Sequence, residues 1–176
     1  MTPEREGRIN QVTSRRFIDL TVVLENVHDP HNIGAILRTC DAVGISEIYV
    51  VHSDSRLSHS NLRLGKRASS GAHDWVKVHY FNEMGECLRV VQSAYGRILA
   101  AMPKPESISL FELDLTEPAA LLFGNEQTGI SEEAMGAVHS CFAIPQTGMI
   151  ESLNISVACA VSLYEAFRQR NLPVSS

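Results

Sequence analysis

The stretch that decides the fold is LTVVLENVHDPHNIGAILRTCDAVG, residues 20–44. Its opening run, residues 20–27, is rich in apolar side chains and predicts a buried strand. A helix is predicted soon afterwards over residues 32–43, and Gly44 ends it. The apolar stripe of this helix consists of Ile33, Ile36, Leu37, Cys40 and Val43. A polar run therefore stands where a strand passes into a helix, and its function needs an explanation.

The same alternation continues along the chain and predicts an α/β fold. Ser131 is expected to cap a short helix, and the Ser-rich, basic residues 53–73 are expected to form a long surface loop. Strands that alternate with helices predict a mostly parallel sheet with helices on both faces. With 176 residues, of which 44% are hydrophobic, the chain suits one compact domain. The remaining strands are predicted at 47–51, 74–81, 97–102, 120–124 and 141–145, and the remaining helices at 83–95 and 151–170.

The charges are polarised along the chain. The net charge of −5 argues against a nucleic-acid partner, but residues 105–167 contain nine acidic residues and no Lys or Arg. Such a chain can present a basic face despite its negative total. For any single Arg, a solvated surface position is the simpler interpretation. The basic residues that cluster in the sequence are Arg5, Arg8, Arg15, Arg16, Arg56, Arg63, Lys66 and Arg67.

Composition disfavours several classes of protein. Aromatic residues make up only 6% of the chain, too few for a platform that stacks single-stranded bases. The four cysteines are widely spaced and form no CxxC pair, which favours reduced thiols and argues against a metal site. The amino terminus has no apolar signal-peptide core, and residues 155–163 are too short and too polar to span a bilayer. These features predict a cytoplasmic protein without a metal or a membrane partner.

Three segments rich in small or polar residues each follow a predicted strand. They are HDPHN (28–32), GNEQTG (124–129) and QTGMIESLN (146–154). Loops at the carboxyl ends of parallel strands form the binding crevice of such sheets, so we expect the three segments to meet at one ligand. Simpler interpretations exist for each: Asn32 as a helix cap, the glycines as turn residues, and Ser152 and Asn154 as first-turn residues of the last helix. The sequence has no dinucleotide-binding glycine fingerprint and no P-loop.

The three segments carry a resemblance to a known family. The chain resembles the SpoU branch of the SPOUT RNA methyltransferases in Asn32 and Arg38 of NIGAILRTCDAVG, in GNEQTGIS, and in IPQTGMIESLNISVACAVSLYEA. The resemblance extends from about Arg15 to Arg170. It implies a homodimer and the SPOUT (α/β knot) fold, with a trefoil knot near the carboxyl terminus. Composition and periodicity do not indicate a knot, and knots are rare among proteins in general.

The activity that this resemblance implies is transfer of a methyl group from S-adenosylmethionine to a ribose 2′-hydroxyl of RNA. Within the family, RRFIDLTVVLENVHDPHN, the RTCDAVG run and the closing SLYEAFRQR are most similar to the members that methylate guanosine-18 of tRNA. The alternative substrate is ribosomal RNA or another tRNA position, because the three motifs do not encode the target nucleotide. A non-catalytic RNA-binding protein and an unrelated nucleotide-binding α/β domain are further alternatives.

The resemblance also implies roles for individual residues. Arg38 would act on the 2′-hydroxyl, in a catalytic pocket shaped by Asn32, Glu126, Ser152 and Asn154. Backbone groups near four residues would hold the cofactor: Ala101, where family members often have Thr, and Gly124, Ile144 and Leu153. The contacts with tRNA would come from Arg8, Arg16 and His31, and from the basic residues Arg56, Arg63, Lys66 and Arg67. The domain boundaries would be a basic extension over 1–19, the methyltransferase domain over 20–170 and a tail over 171–176.

Arg38 is an unusual candidate for a catalytic base. A guanidinium stays protonated in nearly every protein site, with a pKa above ~12. An electrostatic role is easier to assign, in which Arg38 holds the adjacent phosphate and stabilises the alkoxide as it forms. From Asn32 to Arg38 a helix turns by ~600°, which leaves the two side chains about 120° apart and ~9 Å apart along the axis. We therefore expect Arg38 to complete the site of a partner subunit.

Overall fold

The fold is a parallel sheet with helices on both faces. The computed structural model describes residues 2, 4, 6–7, 15–53, 69 and 71–171, and the structural statements concern these residues. The strands in this part of the chain are β1 (Leu20–Glu25), β2 (Glu47–Val51), β3 (Lys77–Phe81), β4 (Ile98–Ala101), β5 (Ile108–Ser109), β6 (Ala119–Phe123) and β7 (Ser140–Ala143). The helices are α1 (Pro30–Val43), α2 (Met84–Tyr95), α3 (Glu132–Met135) and α4 (Ile155–Asn171). The strands pair in parallel in the order β3-β2-β1-β6-β4-β7-β5, which confirms the predicted α/β class.

The predicted elements differ from the observed ones mainly at their ends. Residues 72–74 form a single 3-10 turn, so β3 begins at Lys77 instead of residue 74. The last helix begins at Ile155 instead of residue 151, because the four residues before it belong to a loop. Strand β5 was not predicted, since two residues are too few to show a periodic pattern. Most of the predicted basic loop, residues 54–68 and 70, lies outside the described residues.

Strand β1 lies near the middle of the sheet and is buried along its whole length. Val22 and Leu24 belong to the core cluster that also contains apolar residues of α1 and α4. Val23, on the opposite face, belongs to the cluster that contains Leu88 and Val91 of α2. A strand covered on both faces favours apolar side chains, which is why β1 is mostly apolar in the sequence. Its two buried polar residues are hydrogen-bonded: Thr21 donates to the carbonyl of Glu47 at 2.7 Å, and Glu25 accepts from the N–H of Ser131 at 3.0 Å.

Helix α1 is capped by Asp29 and not by Asn32. The side chain of Asp29 accepts a hydrogen bond from the backbone N–H of His31 at 2.8 Å, and Pro30 occupies the first helical position. Gly44 ends the helix in the left-handed conformation, with φ of +89°. The interpretation of Asn32 as a helix cap is therefore wrong, and its side chain is available for other contacts.

The carboxyl end of α4 is anchored to the loop that precedes β6. Gln169 accepts a hydrogen bond from the N–H of Leu115 at 2.8 Å and donates one to the carbonyl of Leu113 at 2.9 Å. Arg170 donates to the carbonyl of Leu115 at 2.7 Å and pairs with Asp19. These contacts fix the last helix against the start of β1. The trefoil knot stays a prediction, because strand order and packing do not by themselves specify how a chain is threaded.

The four cysteines are free thiols, and three of them are fully buried. Burial raises the pKa of the Cys87 thiol to about 12 and the pKa values of Cys40 and Cys159 further above their ordinary range. These three thiols are protonated at neutral pH, so they act as small apolar core residues. Within the described ranges, no helix has both the length and the apolar character needed to cross a bilayer.

Candidate active site

The three polar segments meet at the carboxyl ends of β1, β6 and β7. Asn32, from the first segment, donates a hydrogen bond through Nδ2 to Oε1 of Glu126 in the second segment, at 2.7 Å. Asn154, from the third segment, donates through Nδ2 to Oδ1 of Asn32 at 3.1 Å. These residues are up to 122 positions apart in the sequence, and the parallel sheet brings them together because its strand ends share one edge.

The hydrogen bonds of this network all run in one direction. Oδ1 of Asn154 accepts from the N–H and the hydroxyl of Ser156, at 2.8 and 2.6 Å, as an N-cap residue does at the start of α4. Its Nδ2 is then free to donate to Asn32, which in turn donates to Glu126. The network therefore ends on a carboxylate, whose second oxygen accepts no hydrogen bond from a described residue. An amide and a carboxylate so arranged can orient and polarise a bound hydroxyl.

A cavity of about 430 Å³ lies beside the network. Phe123 and Phe142 meet edge to face in its wall, with ring centroids 6.3 Å apart. Glu126 and Ser152, both exposed to solvent, lie on the cavity wall. A pocket of this volume with apolar walls and a few polar groups is of the size that binds small molecules. The four residues predicted to hold the cofactor, Ala101, Gly124, Ile144 and Leu153, all line it.

Gly124 allows one wall of the cavity to fold tightly. A Cβ atom at this position would lie 2.4 Å from the carbonyl carbon and oxygen of Gly129 and 2.7 Å from Cγ1 of Ile130. Gly129 has a φ of +70° and closes the turn through two backbone hydrogen bonds with Asn125, at 3.0 and 2.9 Å. The two glycines are therefore turn residues, as the simpler interpretation held, and the turn they make is part of the cavity.

Arg38 is not part of this cluster. It lies on α1, is exposed, does not line the cavity and forms no hydrogen bond or ion pair with any residue that the structure describes. This position agrees with the helix geometry, which separates Arg38 from Asn32 by about 120° around the axis. Among the described residues of one chain, Arg38 is therefore an exposed cation without a partner, while Asn32, Glu126 and Asn154 are already in contact.

The residues predicted to contact RNA have different positions. His31 is exposed at the amino end of α1, next to the network. Arg16 donates hydrogen bonds to Asp41 and to the carbonyl of Trp75, both at 2.7 Å, and to the carbonyl of Ile45 at 3.0 Å; its side chain is only 9% exposed. These contacts give Arg16 a structural role and leave little of its guanidinium for a phosphate. The other five, Arg8, Arg56, Arg63, Lys66 and Arg67, lie outside the described residues.

Two residues next to the cluster were missed by the sequence analysis. Asn26 directly follows β1 and Asn125 follows Gly124, and both take part in hydrogen bonds that join the strand ends. The signal that could have found them is an asparagine within two residues of the end of a buried strand, because Asn favours left-handed and turn conformations. No group of three or more metal-ligating side chains occurs in the described part of the chain.

The fold and this site define a class of protein. Residues 19–164 match the model of the SpoU rRNA methylase family, and the chain belongs to this family. A relative from Thermus thermophilus, a tRNA (guanosine(18)-2′-O)-methyltransferase, is 43% identical over 169 residues, which cover 96% of this chain and 84% of that protein. Both findings agree with the resemblance that the three motifs indicated.

Solved structures give the same classification. The Aquifex aeolicus TrmH/SpoU tRNA modifying enzyme matches with a TM-score of 0.84 and 36% identity, covering 95% of this chain and 83% of that one. An AdoMet-bound rRNA methyltransferase from Sinorhizobium meliloti matches with a TM-score of 0.77 and 30% identity, covering 90% of this chain and 59% of that one. The second structure holds in its crystal the cofactor that the resemblance implied for this chain.

The cavity of this chain fits S-adenosylmethionine in the chemistry of its walls. An adenine ring needs apolar walls, and the partly exposed Met102, Ile144 and Leu153 supply apolar surface to the cavity. It also needs polar backbone groups at its edge, and the N–H of Leu153 donates no hydrogen bond to any described residue. Contacts through the backbone do not depend on the side chain, so Ala101, at a position where the resemblance implied Thr in many family members, is compatible with the pocket.

Proposed function

We propose that this protein transfers a methyl group from S-adenosylmethionine to the ribose 2′-hydroxyl of guanosine-18 in tRNA. The observation that carries the proposal is the contact of Asn32, Glu126 and Asn154 beside a nucleoside-sized cavity. The relative from Thermus thermophilus bears this activity in its name and is similar over nearly the whole chain. The family supplies the type of reaction, and the site supplies the residues for it.

The bound cofactor supplies a methyl group on a sulfonium, which is already activated for displacement. The protein then has to align the ribose and to favour the loss of its hydroxyl proton. Glu126 is suited to accept a hydrogen bond from a ribose hydroxyl, because its carboxylate lines the cavity and Asn32 holds it through one oxygen. Ser152, exposed on the cavity wall, offers a further hydroxyl for the same purpose.

Arg38 acts in this proposal from a partner subunit. Its guanidinium holds the phosphate next to the target ribose and stabilises the negative charge that develops on the 2′-oxygen. A surface cation without a partner among the described residues is available for that contact, and the proposed dimer would bring it to the partner's cavity. Large apolar side chains support such an interface: Met149 is 100% exposed, Ile150 62%, Tyr164 54% and Val157 46%.

Binding of tRNA is assigned to the phosphate contacts of the basic residues and to His31. The basic residues are Arg8, Arg56, Arg63, Lys66 and Arg67, and Arg16 is left out because its guanidinium is used internally. Contacts to phosphates release counterions, so the affinity for tRNA falls steeply as salt is raised. Affinity that does not change with salt would rule out this assignment. Because tRNA is its substrate, we also propose that the protein acts in the cytoplasm.

The experiment that tests the proposed function measures transfer of a labelled methyl group to total tRNA and to ribosomal RNA. We expect incorporation into tRNA that depends on Asn32 and Glu126. A second candidate is methylation of ribosomal RNA, which is favoured by the name of the matching family and by the Sinorhizobium meliloti relative. Label in ribosomal RNA alone would support that second candidate. Cofactor binding with no transfer to either RNA would instead indicate a non-catalytic RNA-binding protein.

A further inference from the structure

Two asparagines outside the proposed catalytic group join the ends of three strands beneath the site. Asn26 directly follows β1, and Asn125 and Ser53 each lie two residues beyond the end of a strand, β6 and β2 respectively. We propose that Asn26 and Asn125 form a brace that positions Glu126 for methyl transfer. The inference rests on the proposed function, since it assigns two positioning residues to that reaction.

Asn125 is only 7% exposed, and its side chain forms hydrogen bonds both within its own loop and to the end of β1. Its Oδ1 accepts hydrogen bonds from the N–H groups of Gln127 and Thr128, at 2.8 and 2.9 Å, and so fixes the turn that follows Glu126. Its backbone pairs with Gly129 on the other side of the turn. Its Nδ2 donates to the carbonyl of Asn26 at 2.7 Å, which ties the turn to the end of β1.

Asn26 presents that carbonyl by adopting a conformation that few residues tolerate. Its φ is +52°, and it is the one non-glycine residue with a positive φ in the described part of the chain. Its side chain holds the end of β2: Oδ1 accepts from the N–H of Ser53 at 3.0 Å, and Nδ2 donates to the Ser53 hydroxyl at 2.9 Å. Its own N–H donates to the carbonyl of Val51 at 2.8 Å.

The brace matters because Glu126 has little else to hold it. Glu126 is exposed, and its one hydrogen bond within the described residues is the 2.7 Å contact from Asn32. It stands in a short surface loop bounded by Gly124 and Gly129, and such a loop is mobile unless its backbone is held. A displacement of about 1 Å in a group that positions substrate can reduce the rate by ~100-fold. The asparagine brace prevents that displacement.

The test compares variants of the full-length protein in methyl transfer to tRNA, in cofactor binding and in amide hydrogen exchange. Asn125→Ala removes both the acceptor for the N–H groups of Gln127 and Thr128 and the donor to the carbonyl of Asn26. Asn125→Asp keeps the acceptor and loses only the donor to Asn26. We expect kcat to fall by about 10- to 100-fold in Asn125→Ala, with less effect on KM. Asn26→Gly keeps the left-handed backbone and so the carbonyl, and it should lose less activity than Asn26→Ala.

A double-mutant cycle separates positioning from a general loss of stability. If Asn125 acts through Glu126, then Asn125→Ala should have almost no effect on kcat when Glu126 is already Ala. The matched control is Asn171→Ala, which removes one helix-end hydrogen bond far from the site, at 3.0 Å to Phe167, and should leave kcat unchanged. Effects of Asn125→Ala and Glu126→Ala that simply multiply would overturn the brace as a positioning device.

Hydrogen exchange gives a readout that does not depend on activity. The amides of Gln127 and Thr128 should exchange slowly in the wild type and rapidly in Asn125→Ala, because Asn125 is their acceptor. Fast exchange of both amides in the wild type would overturn the brace. A wild type that transfers no methyl group to any RNA would overturn the proposed function. The exchange rates of the Gln127 and Thr128 amides would then be the test of the brace. An active wild type with a fully active Asn125→Ala variant would overturn the brace alone.

Discussion

At the scale of single residues, the structure changes the interpretation of Asn32 most. In the sequence, an asparagine at the start of a helix has an obvious role as a cap. The expected convergence of the three polar segments and the family resemblance suggested a role in the site instead. In the structure Asp29 takes the cap, and Asn32 joins Glu126 to Asn154. The sequence could predict which residues belong to the site, because each stands after a strand. It could not predict their partners, since those come from segments about 100 residues away.

Arg38 carries the sharpest chemical prediction at this scale. Arg38→Lys should lower kcat by at least about 100-fold, because an ammonium cannot hold a phosphate and a developing alkoxide with the planar fork of a guanidinium. Cofactor affinity should stay within about twofold, since Arg38 does not line the cavity of its own chain and acts after the substrate is bound. Single-turnover methylation and a separate binding titration measure the two effects.

The pH profile of the wild type distinguishes the two roles of Arg38. A charged Arg38 predicts a rate that levels off at alkaline pH, whereas a deprotonated Arg38 acting as a base predicts a rate that keeps rising. A continued rise to high pH would therefore contradict the electrostatic role.

Gly124 gives a prediction about the shape of the cavity. In Gly124→Ala, the added Cβ would meet Gly129 at 2.4 Å, so the turn must open and the cavity wall must move. We expect cofactor affinity to fall by at least about tenfold, equivalent to ~1.4 kcal/mol. Gly7→Ala is the matched control, because a Cβ there meets nothing within 4 Å and Gly7 lies outside the three site segments. Isothermal titration of both variants checks the prediction, and equal affinities would refute it.

At the scale of elements, the sequence predicted best where burial is two-sided. β1 and β6 are buried along their whole length, and their predominantly apolar sequences predicted strands at nearly the right bounds. β3 lies at the edge of the sheet and is only half-buried. Its alternation of apolar and polar residues therefore did not show at which residue the strand begins. The long helix was predicted to begin four residues early, because the polar residues 151–154 are as compatible with a first turn as with the site loop they form.

Glu47, at the start of β2, forms a hydrogen-bonded cluster whose contribution to the stability of the fold depends on pH. Glu47 accepts hydrogen bonds from Nε2 of His79 and the hydroxyl of Tyr95, both at 2.8 Å, and from the hydroxyl of Tyr49 at 3.1 Å. Burial is the largest single influence and would raise the pKa of Glu47. The hydrogen bonds from His79, Tyr95 and Tyr49 together outweigh it, so the pKa of Glu47 is lowered from its ordinary value of 4.5.

A lowered pKa in the folded state means that Glu47 stabilises the fold above its unfolded pKa and loses this contribution as pH falls through the folded pKa. The melting temperature of Glu47→Gln should therefore lie below that of the wild type at neutral pH and approach it below about pH 4. Thermal melts from pH 7 to pH 3 check this. Glu86→Gln is the control, because Glu86 is exposed and has no hydrogen bond to a described residue; a Glu47→Gln curve parallel to the wild type would contradict the assignment.

At the scale of the whole molecule, composition alone was a poor guide. A net charge of −5 argued against an RNA partner, and the polarised distribution of charge was the better predictor. The parallel sheet followed from the alternation of strands and helices. The knot and the dimer did not follow from any local pattern, since both depend on how distant segments pass and pack. They came from the family resemblance and stay predictions.

The proposed dimer leads to a prediction about mixed subunits. Arg38→Ala and Asn154→Ala chains should each be inactive as homodimers. In a mixed dimer, one site combines an intact cavity with an intact Arg38 from the other chain, so about half of the wild-type activity should return. Differently tagged chains, co-expressed and purified through both tags, provide the sample. A mixed dimer as inactive as its parents would show that Arg38 acts within its own chain.

The most direct test of the proposed reaction compares methyl transfer to two tRNAs. One has guanosine at position 18, and the other has deoxyguanosine there (dG18) and so lacks the 2′-hydroxyl. With labelled S-adenosylmethionine, we expect stoichiometric transfer to the guanosine-18 tRNA, with the label mapped to its ribose 2′-oxygen, and none to the dG18 tRNA. Equal labelling of the two tRNAs, or label confined to ribosomal RNA, would contradict the proposed reaction at its target atom.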